Sequence, residues 1–178
     1  MSNNRTTWDH ASKAGLALGG VSILYFTINS LTASSNILLA ILNIGLWAAK
    51  FWFCIFLMKK FMQAFAAASP DADNARVFRF GVLTSLLSSL VYSSYYLAWV
   101  LFIQPDVFAD ALSTMSARMP AAAADQMSQM MDKMPQMTFF ANLCYCFVFG
   151  VILAGILSRN IPSRDPFENY TEEDNQND

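Results

Sequence analysis

Three long stretches of this chain carry no charge: Ala14 to Ala49, Phe80 to Pro105, and Met134 to Ser158. A helix that keeps one face in water repeats polar and charged residues every turn or two. Uninterrupted runs of this length instead match the hydrocarbon core of a bilayer, which a helix of about 20 apolar residues crosses. One further stretch, Ile37 to Lys60, reads ILLAILNIGLWAAKFWFCIFLMKK; it is broken by Lys50 alone and ends on Lys59 and Lys60.

The composition agrees with that pattern. Hydrophobic residues make up 55% of the 178 and charged residues 13%, against roughly 45–50% and 25% in soluble domains. The expected fold is all-α, a transmembrane four-helix bundle forming one membrane domain over residues 1–160. Its spans fall at about 14–32, 37–58, 77–103 and 138–158. Residues 161–178 are acidic and poor in aromatics, and they read as a disordered tail.

The connections follow from local chemistry. Residues 1–13 are polar and are expected on the membrane surface. The glycine-rich first span reads as uncleaved rather than as a signal peptide. The short polar turn 33–36 makes spans one and two a hairpin. The second helix can continue through Phe61 to Ala68, with Ser69 capping the next helix and Pro70 in its first turn. Between spans three and four, residues 106–133 read as an extracytoplasmic pair of amphipathic helices broken at Pro120. Phe108, Leu112, Met115 and Met119 share one face there, and Met127, Met130, Met131 and Met134 come after them at helical spacing.

Orientation follows from the basic residues. Arg5, Lys13, Lys59, Lys60, Arg76, Arg79, Arg159 and Arg164 flank the spans on one side, against Arg118 and Lys133 on the other. The positive-inside rule then puts both termini in the cytoplasm, as expected for a multi-pass protein of a bacterial inner membrane.

Small residues recur every four positions on three spans: Gly15 and Gly19; Gly81, Ser85, Ser89 and Ser93; and Cys146, Gly150, Ala154 and Ser158. Such seams let helices approach closely. The hydroxyls of span three could also line a pathway, but packing is the preferred reading, because such hydroxyls commonly bond their own helix.

Lys50 is the residue out of place. A lysine at mid-depth costs roughly 2.5–3.5 kcal/mol on insertion scales. The twelve Leu, Ile and Phe residues of that span contribute roughly −4 to −7 kcal/mol, so the span inserts regardless. No span carries an acid to pair with it. The preferred reading is a snorkelled lysine beside Trp47 or Trp52. The functional reading is an anion or proton site on a stripe with Asn43, Trp47 and Cys54; Ser85 and Ser89 of span three are the other intramembrane polar candidates.

Other chemistries find little support. His10 is the one histidine, and no HExxH, GxSxG, P-loop or GxGxxG motif occurs. Enzymatic activity and a cofactor are therefore not expected. Met127, Met130, Met131 and Met134 could ligate Cu(I) as soft thioethers, but an amphipathic helix face demands the same spacing. Cys54, Cys144 and Cys146 form neither a redox nor a zinc motif, and they read as small apolar residues. No basic stripe suggests nucleic acid.

Several features resemble an uncharacterised family of four-span bacterial membrane proteins, a domain of unknown function common in the Bacteroidota. They are Lys13, Gly15 and Gly19 with GGVSILYF beyond, the basic end at Lys59-Lys60, and the exit Phe102 to Pro105. The Met- and Asp-containing outer segment and the terminus Ser158-Arg159 complete them. The resemblance covers all but the acidic tail. It implies four helices and an inner-membrane location, and it carries over no functional residue.

The function expected from sequence is non-enzymatic interaction or assembly through helix–helix contacts. Its partners are the lipid bilayer and either a second copy or a larger membrane protein. The alternative is a small transporter or channel subunit using Lys50 and the polar face of span three.

Overall fold

The computed structural model describes residues 2–31, 37–69, 73–104, 110, 113–114 and 133–161. They form four helices: α1 (Ser2–Leu31), α2 (Ile37–Ala68), α3 (Asn74–Phe102) and α4 (Met134–Arg159). No strand occurs among the described residues. Each helix is long and apolar enough to cross a membrane, over Thr7–Ser30, Ile41–Ala68, Asn74–Phe102 and Met134–Arg159. The chain is an all-α, multi-pass membrane protein.

The boundaries have local causes. The Asp73 side chain caps α3 by accepting from the Ala75 amide. The sequence suggested Ser69 for that task; Asp73 stands next to the first helical residue and satisfies one of the amides orphaned there. Pro135 sits in the first turn of α4, where its missing N–H costs nothing. Met134 begins this helix rather than ending an outer amphipathic one. The first helix starts at Ser2, not near Ala14, because the polar terminal stretch contains no breaker and buries Ala11 and Ala14. The expected outer helical pair, Met127, Met130 and Met131, the turn at 33–36 and the acidic tail lie outside the described residues.

Helix α3 is the hub. Gly15 on α1 meets Leu87, and Gly19 meets Val91, so α1 and α3 run parallel. Gly81 meets Ala154 while Ser85 meets Gly150, so α3 and α4 run antiparallel. A methyl built on Gly15 would lie 2.7 Å from the Leu87 Cβ, a distance only a glycine allows. The seams seen in the sequence are thus spent inside the chain, α1 on α3 and α3 on α4. Because lipid is as apolar as the helices, close van der Waals approach holds such pairs together.

Packing is uneven along the bundle. The core gathers toward the end bearing Lys59, Lys60, Arg76 and Arg159, around Ala14, Met58, Met62, Phe65, Phe80 and Ala154. There the Phe65 and Phe80 rings stack 4.3 Å apart. Toward the other end, Phe26 meets the Tyr96 and Trp99 rings edge-on at 5.3 and 5.6 Å. Each such pair contributes ~0.5–1.5 kcal/mol beyond its area. The Thr27 and Tyr95 hydroxyls are hydrogen-bonded at 2.8 Å. Helix α2 takes little part in this second cluster: Ile41, Ile44, Trp47 and Trp52 are all exposed. Between the two packed ends, and beside this exposed part of α2, a cavity remains.

Candidate functional site: a cavity around Lys50

The cavity of about 150 Å³ lies near the middle of the bundle, and all four helices line it. From α2 come Trp47, Lys50, Phe51, Cys54 and Met58, one face at spacings of three and four. From α3 come Ser85, Ser88, Ser89 and Tyr92 at the same spacing. Leu18 and Ser22 face them from α1, and Tyr145, Cys146, Phe149, Gly150 and Leu153 from α4.

Lys50 turns inward. Its Nζ lies 5.1 Å from the centre of the Tyr25 ring and 5.6 Å from that of Tyr92. A cation over a ring face gains ~0.5–2 kcal/mol, the larger values applying where water is excluded. The sequence expectation is a snorkelled lysine beside Trp47 or Trp52; the rings that face the ammonium are those of Tyr25 and Tyr92. Two tyrosines across the bundle hold the ammonium inside.

The charge has no carboxylate neighbour in the helices. Asp9 is the one acid in all four. It stands sixteen residues before Tyr25, roughly 24 Å along the helix at 1.5 Å per residue. Cation–π contact offsets only part of what a central lysine loses on leaving water. The remainder is a cost that a bound anion would offset, because Coulomb attraction is stronger where the local dielectric is low.

The hydroxyls divide by role. Ser85 donates to the Gly81 carbonyl at 2.8 Å, and Ser89 donates to that of Leu86 at 2.9 Å. Both give their protons to their own helix and keep acceptor lone pairs, as serines in apolar helices commonly do. Both also line the cavity, so they pack and line at once. Thr84 and Ser93 are buried with no hydrogen-bond partner and stand outside the cavity lining, while Ser94 is exposed.

Of the intramembrane polar residues singled out by sequence, Lys50, Ser85 and Ser89 meet in one cavity, and Asn43 does not line it. Gly150 contributes both to the cavity wall and to the α3–α4 contact. Sequence reasoning missed Tyr25, Tyr92, Ser22 and Cys146. Leu18, Ser22 and Tyr25 are spaced by four and three, which is the one signal that could have grouped them. Cys54 and Cys146, read as inert small residues, flank the cavity, while Cys144 is exposed. Among the described residues no group of three or more His, Cys, Asp or Glu side chains could hold a metal ion.

Chemically, the arrangement is one fixed positive charge on an aromatic and hydroxyl floor, in a space large enough for a small group. It is suited to recognising an anion. Compared with known proteins, residues 13–159 match the family model described as "Protein of unknown function (DUF4199)". No curated protein and no solved structure matches the chain.

Proposed function

The chain belongs to the DUF4199 family of proteins of unknown function, and we propose that it is a non-enzymatic membrane protein that binds a small anion at Lys50, as a transporter or channel subunit does. The observation that carries this reading is the inward Lys50 ammonium, held over Tyr25 beside a hydroxyl-lined cavity with no carboxylate partner among the described residues. The basic flanks further support a bacterial inner membrane with both termini in the cytoplasm.

The other reading, assembly with a second copy or a larger membrane protein, rests on the small-residue seams. Gly15, Gly19, Gly81 and Gly150 all pack within the chain, so association would have to use another surface. The cavity reading therefore takes precedence.

Reconstituted vesicles test it. The native protein should carry monovalent anions faster than protein-free vesicles, or bind them measurably in nanodiscs. Lys50→Leu should weaken this about tenfold or more, and Lys50→Arg should retain most of it. Neither binding nor flux in the native protein would end the proposal. Reporter fusions at both termini should read cytoplasmic.

A further inference from the structure

The way into the cavity identifies its occupant more narrowly; this step rests on the anion-binding reading. Trp47 and Tyr145 line the cavity and yet are 54% and 73% exposed, so its mouth lies between α2 and α4. Packed side chains stand along the α1–α3 side and at both ends. Gly15 and Gly19 bring α1 flush against α3. The stacked Phe65 and Phe80 close the basic end, and the rings around Phe26 close the opposite one. Phe51 and Phe149 meet across the mouth with ring centres 4.9 Å apart. In a bundle that crosses a bilayer, this side faces acyl chains.

The mouth is therefore apolar and the floor is charged. A cavity of about 150 Å³ compares with one that admits a benzene-sized group. It accepts a carboxylate with its first few carbons and is too small for a glycerophosphate headgroup with two chains. An inorganic ion would have to reach the ring-lined mouth through hydrocarbon. We infer that the occupant is an anionic amphiphile drawn from the bilayer, a long-chain monocarboxylate. Its carboxylate pairs with Lys50, its first carbons fill the cavity, and its tail leaves between Trp47 and Tyr145. One ammonium matches one carboxylate, and the one acid on the four helices, Asp9, lies about four turns of α1 away from Tyr25.

Trp47 and the native thiols provide the test. With Trp8, Trp52 and Trp99 changed to phenylalanine, Trp47 reports alone. In nanodiscs, a brominated stearate should quench it saturably, while its methyl ester and a brominated phosphatidylcholine should give only unsaturable background. Lys50→Leu should weaken the saturable component about thirtyfold or more, and Lys50→Arg should preserve it. A second measurement uses the chain without tryptophan changes. Unbrominated stearate should protect Cys54 and Cys146, but not Cys144, from a lipid-soluble maleimide.

Equal quenching by acid and ester, with no thiol protection by stearate, overturns the inference. If chloride or acetate then protects the two thiols in a Lys50-dependent way, the anion site stands and only its amphiphilic occupant is lost. If no anion protects them, both readings fall together.

Discussion

Gly150 lies so close to Ser85 that a methyl group on it would come within 2.5 Å of the Ser85 hydroxyl oxygen. Both residues also line the cavity around Lys50. A close contact between α3 and α4 is therefore part of the site wall, and the seam that packs the bundle also shapes the cavity.

Gly150→Val should destabilise the fold. The added methyls meet Ser85, including its backbone Cα at 3.5 Å, so α4 must shift outward. Overpacking of this kind costs ~1–3 kcal/mol. Unfolding in mixed micelles of mild detergent and SDS should show an earlier midpoint, and ligand affinity should fall with it.

Gly45→Ala supplies the contrast. Nothing lies within 4 Å of a methyl placed there, and Gly45 stands inside α2. Removing a glycine from a helix interior gains ~0.5–1 kcal/mol. The same unfolding assay should give an unchanged or slightly later midpoint.

Lys50→Leu should separate stability from binding. The substitution removes a charge costing roughly 2.5–3.5 kcal/mol at the bilayer centre, and it loses cation–π contacts worth ~0.5–2 kcal/mol. Membrane insertion of a reporter carrying the α2 segment should improve, and the folded protein should be at least as stable as the native one. A marked loss of stability would instead assign Lys50 a purely structural part.

Tyr25→Phe and Tyr25→Leu should differ. Phenylalanine keeps a ring face for the Lys50 ammonium, now 5.1 Å from the Tyr25 centroid; leucine does not. The leucine variant should release Lys50, seen as faster modification by an amine-reactive probe, by about a factor of three for a contact near the lower cation–π value. The phenylalanine variant should react at the native rate.

Much of this architecture is legible from residues alone. Runs such as Phe80 to Pro105 leave the chain no soluble alternative, so four spans follow from composition along the sequence. Gly15, Gly19, Gly81 and Gly150 declare close contacts through their spacing. What spacing omits is the partner: nothing on α3 says that Ser85 will meet Gly150 rather than a residue of another protein. Lys50 announces itself by its charge. Tyr25 looks no different from Phe26 beside it, although one ring faces the ammonium and the other joins the Tyr96–Trp99 cluster. The cap at Asp73 was hidden because Ser69 offers similar chemistry four residues earlier, and only the course of the backbone selects between them.

Among the described residues, the buried side chains that seat α2, Met58, Met62 and Phe65, all lie in its later half. Ahead of them, Lys50 and Phe51 meet the rings of Tyr25, Tyr92 and Phe149. One helix thus divides its work along its length, so a change at Met62 should be felt first in stability and a change at Lys50 first in binding.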